Sequence, residues 1–331
     1  MNKKILLTGD RPTGKLHLGH YVGSLLNRIK MQEEYDTYLM VADVQALTDN
    51  YDNPQKVRDN VFEVVADNLA AGVDPKKVTY FIQSQIPEIA ELTIFFSNMV
   101  TVSELQRNPT VKNEISDKGK IFKDGNVTFG FLGYPVSQTA DIAFLKAEIV
   151  PVGEDQLPVI EQGNRILKKF NSYYGNIFPH IKGVVGKVAR LAGLDGKKMS
   201  KSLGNAIYIS DSAEEVSKKI KKAQTDSENK VYYDSEKKPE ISNLMEYYKI
   251  ATGKTFKEIE KEFEDIVYYS EFKEKLTEEL NNFLEPIRKR RKKYEENPQL
   301  VWDTLEEGRK KVRIEAEKTM MEVREKMKID Y

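Results

Sequence analysis

"KILLTGDRPTGKLHLGHYVGSL", residues 4–25, passes from a short apolar run through a loop marked by Gly and Pro into a segment with helical spacing. The apolar run reads as a first strand, and the helix after it is predicted to begin near His20. The same order recurs downstream. "TYLMVAD" (37–43) is a second strand, followed by the helical "PQKVRDNVFEVVADNLAAG" (54–72), with Pro54 near its start and Gly72 at its end. "VTYFIQS" (78–84) is a third strand. "EIVPVG" (148–153) is a fourth, leading into the helical "DQLPVIEQGNRILKKFNSYYG" (155–175). Strands alternating with helices imply an α/β fold with a doubly wound parallel sheet, which binds ligands at the carboxyl ends of its strands. The loops at 8–20, 43–49 and 151–156 fall at those ends.

At 331 residues the chain is long for one core, so two domains are expected. After residue 204 the composition turns rich in Lys and Glu with helical spacing, which divides the chain into an α/β region, 1–203, and a helical region, 204–331. The last helix, "VWDTLEEGRKKVRIEAEKTMMEVREKM" (301–327), is expected to pack back on the first region. No apolar run approaches the ~20 residues of a membrane span, and the apolar stretch near the N-terminus is too short for a signal-peptide core. The absence of cysteine excludes disulfides, thiolate zinc sites, iron–sulfur clusters and a cysteine nucleophile, and suits a cytoplasmic protein. Lys plus Arg equals Asp plus Glu at 52 each, so any nucleic-acid surface must be a local patch.

Two of the three histidines, His17 and His20, flank Gly19 in "HLGH". Three readings are open for them. They could bind a metal, although His180 lies in an unrelated stretch and no third ligand is evident. They could be surface residues where loop meets helix. They could contact a phosphate at a helix N-terminus, where free N–H groups and the helix dipole favour anions. The stretch is neither GxGxxG nor a P-loop, so hydride transfer and ordinary kinase chemistry lose support. Further on, "GLDGKKMSKSLGN" (193–205) is either a solvated charged loop or a mobile one. In the second case Lys198 and Lys201, three apart around Ser200, suit charge developing on phosphate oxygens.

"HLGH" and "KMSKS" (198–202), in this order, resemble the two signatures of class I aminoacyl-tRNA synthetases. The flanking "GDRPTGKLHLGHYVGSL", "YPVSQTADI", "IVPVGEDQLPVIE" and "TDSENKVYYDSEKKPEISNL" are similar to the tryptophanyl branch nearly end to end. The resemblance implies a Rossmann-like catalytic domain and a helical tRNA- and anticodon-binding domain. It implies activation of L-tryptophan by ATP with Mg²⁺, transfer to tRNA(Trp), and a homodimer. It further implies that His17, His20, Lys198 and Lys201 are catalytic and contact phosphates. Arg11, Pro12, Thr13, Gly19, Gly153, Glu154, Asp155, Leu191, Met199, Ser200 and Ser202 would complete the ATP site. Gly19 would leave room for adenine. Asp141 in "TADIAF" would recognise the indole N–H, Gln156 would hold the substrate's ammonium or carboxylate, and Tyr134 and Gln138 would wall the pocket. No resident metal ligand is implied.

Some positions depart from the commonest pattern of that family. Gln138 stands where methionine is frequent, Gln45 where histidine is, and Arg11 where glutamine is. Glu114 replaces a second ATP-contacting lysine, while Lys112 remains. These departures leave the reaction class intact and leave open an auxiliary enzyme tolerant of substituted indoles. A tyrosine-specific enzyme, another HxGH adenylyltransferase and a catalytically quiet binding partner stay open as separate rivals. For RNA, "RKRRKK" (288–293) and "KKIKKAQTD" (218–226, with Lys221 and Lys222) are candidate phosphate contacts. The run at 288–293 could equally be a solvated helix face. "IAELTIFFSNMVTVSEL" (89–105) is an apolar candidate interface, with burial in its own core the more economical reading.

Overall fold

The computed structural model describes residues 3–117, 126–186, 191–197, 199 and 204–331. The chain opens with β1 (Ile5–Asp10). A continuous helix follows, made of α1 (Leu18–His20), a π-helical turn (Tyr21–Leu25) and α2 (Leu26–Met31). Next come β2 (Asp36–Val41), α3 (Asp43–Ala46), α4 (Pro54–Ala71) and β3 (Val78–Ile82). Among the described residues, five α-helices lie between β3 and the next strand: α5 (Glu88–Ser97), α6 (Val102–Arg107), α7 (Pro109–Asp117), α8 (Phe129–Leu132) and α9 (Tyr134–Ala143). β4 (Ile149–Val152), α10 (Leu157–Tyr174) and β5 (Lys182–Val185) complete the sheet region.

The strands pair in parallel in the order β3-β2-β1-β4-β5. Chain order reverses beside β1, so the crevice at the carboxyl ends of β1 and β4 is the natural ligand position. Local chemistry supports these elements. Leu6 and Leu7 are buried on opposite sides of β1, as a parallel sheet covered on both faces requires. In α4, Asn53 accepts from the Lys56 N–H at 3.2 Å, Pro54 occupies the first turn, and Gly72 ends the helix at φ 112°. β5, the fifth strand, was not expected, because "KGVV" holds a Lys and a Gly in only four residues.

Beyond residue 204 the described chain is helical: α11 (Ala213–Lys222), α12 (Pro239–Thr252), α13 (Phe256–Glu262), α14 (Tyr269–Glu296) and α15 (Gln299–Met327). One apolar cluster runs from Leu39, Val41 and Tyr80 of the sheet through α4 into Val216, Tyr247, Phe272 and Leu284. The other sheet face buries Met40 and Phe81 against α5, α9 and α10, together with Val312, Ala316, Met320 and Val323 of α15. α15 lies on the edge strand β3 so closely that a Cβ at Gly308 would stand 1.7 Å from the Tyr80 carbonyl oxygen. α5 and α6 bury Ile89, Leu92, Phe96 and Leu105 in the core and leave Ile94 and Val102 exposed.

The basic run on α14 corrects the sequence reading. Six consecutive residues at 100° each circle the whole helix, so they cannot share one outward face. Arg291 turns inward, 2% exposed, and pairs with Asp67 and Glu63 of α4. Arg290 donates to the Ala70 carbonyl at 2.6 Å, and Arg288 to the Asp211 carbonyl at 3.1 Å. All three arginines bond to the packed chain, and Lys289, Arg290, Lys292 and Lys293 stay exposed.

Candidate active site

A cavity of about 410 Å³ opens at the carboxyl ends of β1 and β4, where the strand order reverses. Arg11, Gly153, Tyr134, Gln138, Asp141 and Gln156, all expected at the site, line it together. They come from different elements: Arg11 from the end of β1, Gly153 and Gln156 from the turn after β4, and the other three from α9. The helical spacing of Tyr134, Gln138 and Asp141 places them along one face of α9.

Asp141 is 1% exposed. Its Oδ1 accepts from Gln83 Nε2 at 2.7 Å, and its Oδ2 has no partner. Burial pushes its carboxyl up to about 7, the Gln83 hydrogen bond opposes the rise, and the nearby Asp43 charge adds to it. Such a group in an apolar wall is suited to receive one hydrogen-bond donor from a ligand. Across the site, Arg11 pairs with Asp49 and donates Nη2 to the Ala46 carbonyl at 3.4 Å, while its Nε has no partner. Tyr134 is buried, and burial together with the Glu114 carboxylate raises its phenol above its usual value.

Beneath the cavity lies a network that the sequence reading missed. Arg28, 3% exposed, grips both oxygens of Asp10 at 2.5 and 2.8 Å and reaches Thr8 at 3.1 Å and Asn68 at 2.9 Å. Burial would raise the Asp10 carboxyl, but Arg28 outweighs it and holds the group down at about 2. Gln83, at the end of β3, was missed as well. It binds Asp141 through its amide N–H and accepts the Gln45 backbone N–H at 3.0 Å. A rule-based signal existed for it, since it stands at a strand's carboxyl end. Its partner, however, lies 58 residues away.

Neither His17 nor His20 of the "HLGH" segment lines the cavity. The His17 and His20 rings meet with centroids 3.7 Å apart, and His20 Nδ1 accepts the His17 backbone N–H at 3.1 Å. His20 is near enough to Asp10 to help lower its carboxyl. The segment also meets the chain just after the second signature: the Leu18 N–H donates to the Ile207 carbonyl at 2.9 Å, and His17 bridges Tyr208. A Cβ at Gly19 would lie 2.9 Å from His17 Nδ1 and 3.2 Å from Met199 Sδ. In this arrangement the space over Gly19 is therefore filled by those two side chains. Met199 and Leu191 are buried in the adjoining apolar cluster. Pro12 and Thr13 form a tight turn, in which the Thr13 N–H meets the Arg11 carbonyl at 2.8 Å. Glu154 and Asp155 follow Gly153 in an exposed 3₁₀ turn. Lys198, Ser200, Lys201 and Ser202 lie outside the described residues. Among the described residues, no three His, Asp or Glu side chains converge as a metal cage.

A family model described as class I tRNA synthetases (W and Y) matches residues 2–285. The tryptophan–tRNA ligase of Clostridium longisporum is 47% identical over 100% of this chain and 98% of its own length. That of Streptococcus mutans is 44% identical over 100% of both chains. The solved tryptophanyl-tRNA synthetase of Campylobacter jejuni, complexed with ADP and tryptophan, superposes with a TM-score of 0.86 at 30% identity. The match covers 98% of this chain and 99% of that one.

Proposed function

Because this chain belongs to the class I tRNA synthetases for tryptophan and tyrosine, we propose that the cavity between β1 and α9 is where it binds its amino acid beside ATP. The protein activates L-tryptophan with ATP and transfers the tryptophanyl group to tRNA(Trp). In the first step a carboxylate oxygen of tryptophan attacks the α-phosphorus of ATP. A new P–O bond forms, the bond to pyrophosphate breaks, and tryptophanyl-adenylate results. The attacking carboxylate carries no proton to remove, so positioning and charge neutralisation do the catalytic work.

The unpartnered Oδ2 of Asp141 is the observation that carries the residue assignment. Indole offers one N–H donor and no acceptor, so a buried carboxylate oxygen matches it and rejects phenylalanine, which has no donor. Gln83 holds that carboxylate in place, and Tyr134 and Gln138 wall the ring. His17, His20, Arg11, Pro12 and Thr13 are assigned to the ATP path. Gly153, Glu154 and Asp155 are assigned to the ribose and adenine side, with Leu191 beside them. Lys198 and Lys201, with Met199, Ser200 and Ser202, are assigned to the departing pyrophosphate. Adenine would reach Gly19 by displacing Met199. Mg²⁺ is assigned to the nucleotide itself, arriving on the phosphate oxygens.

The helical region from residue 204 onward is assigned to tRNA, with Lys289, Lys292 and Lys293 as exposed phosphate contacts. The exposed Ile94 and Val102 support a homodimer contact on α5 and α6. A cytoplasmic location is proposed as well; among the described residues no helix is long and apolar enough to cross a membrane. Nothing in the geometry or among the relatives favours tyrosine, a substituted indole or a quiet binding role. ATP–pyrophosphate exchange with tryptophan, tyrosine and a substituted indole amino acid in parallel tests the reading. Exchange driven by tryptophan is expected. Folded protein that exchanges with none of them overturns it.

A further inference from the structure

Resting on the amino-acid site just described, we propose that Glu114 is the binding residue that receives the α-ammonium group of the substrate. Among the described residues, three acids line the cavity: Asp10, Glu114 and Asp141. Asp10 is saturated by Arg28 and Asn68. Asp141 is buried among α9 and the strand ends, where the indole is placed. Glu114, from α7, has no lysine or arginine partner among the described residues. It accepts a long hydrogen bond from Gln156 Nε2 at 3.4 Å. It also stands close enough to the Tyr134 hydroxyl to raise that phenol.

Glu114, Tyr134 and Gln156 therefore converge on one part of the cavity wall. An ammonium group has three donors and no acceptor, and these side chains offer it a carboxylate, a phenolic oxygen and an amide oxygen. Among the described residues, the two cations that line the cavity are both engaged, Arg28 with Asp10 and Arg11 with Asp49. Arg11 keeps its free Nε for an anion. Substrate charge is then sorted: ammonium toward Glu114, carboxylate toward Arg11 and the ATP α-phosphate. A lysine at position 114 would reverse that polarity.

Isothermal titration of the full chain with L-tryptophan, tryptamine and indole-3-propionate tests the proposal. Tryptamine lacks the carboxylate, and indole-3-propionate lacks the ammonium. In Glu114→Gln, tryptophan and tryptamine are expected to bind on the order of tenfold to a hundredfold more weakly, with indole-3-propionate unchanged or tighter. Glu114→Asp should recover part of the loss. Equal weakening of all three ligands would mean that Glu114 only shapes the pocket. Unchanged tryptophan binding with weaker ATP binding would place it at the nucleotide. Either result overturns the ammonium assignment alone. Wild-type protein that binds no tryptophan would overturn the functional reading beneath it.

Discussion

At the scale of single residues, Asp141 combines a cost to the fold with a use at the site. Its carboxyl stands at about 7 in the folded chain against an ordinary 3.8. The unfolded chain therefore gives up that proton first, and the group's contribution falls as pH rises from about 4 to about 7. Asp141→Asn is expected to raise the melting temperature at pH 8 while leaving it nearly unchanged near pH 4; equal shifts at both would contradict the buried-acid account. The same substitution should lower kcat/KM for tryptophan about tenfold or more, and remove a rise in that parameter centred near pH 7. Lys198→Ala is expected to slow pyrophosphate exchange on the order of a hundredfold with little change in tryptophan affinity, as loss of one transition-state donor does. Equal loss of rate and affinity would show that the loop shapes the amino-acid pocket. "HLGH" and "TADI" marked His17, His20 and Asp141 as candidates in the sequence, and of these Asp141 lines the cavity. Gln83 and Arg28 were not marked, because an isolated glutamine or arginine acquires meaning only from the carboxylate that the fold brings to it.

At the scale of elements, α14 is anchored by charge rather than by apolar contact alone. Arg291 joins Asp67, which is wholly buried, and Asp67 Oδ2 also accepts the Leu16 N–H at 2.7 Å, next to His17. Burial pushes the Asp67 carboxyl up to about 6, with Arg291 opposing. Arg291→Met would leave that acid without its cation, at a cost of about 3–5 kcal/mol in urea denaturation. The double variant Arg291→Met with Asp67→Leu should regain much of the loss, less the hydrogen bond to Leu16. A double variant no more stable than the single would show that the pair is held for another reason. The run "RKRRKK" announced a positively charged helix. Which of its six charges reach solvent depended on how α14 is rotated against α4.

At the scale of the whole molecule, the C-terminal helix closes the sheet. β3 is an edge strand, and an open edge invites pairing with other chains. α15 covers it by direct backbone approach at Gly308, supported by ion pairs from Arg313 to Glu88 and Arg324 to Glu91. Gly308→Val would push the helix off Tyr80, and a fall of about 5 °C or more in melting temperature is expected. An unchanged melting curve would mean that α15 contributes little to the fold. The last helix was expected to pack back on the first region, and α15 buries Val312, Ala316, Met320 and Val323 against the sheet. The strand it meets was not legible, since no local pattern names a partner more than two hundred residues away.

By itself the sequence determined the alternation of strands and helices and the parallel sheet, and it supplied the candidate residues for phosphate and indole contact. Those properties arise within a few residues, from periodicity, caps and short motifs. The tertiary structure decided which carboxylates are neutralised and which remain available to a ligand. Asp10 lost its freedom to Arg28, Asp67 to Arg291, and Asp141 kept one open oxygen. Burial and pairing depend on groups brought together from distant parts of the chain, and only packing sets that distance.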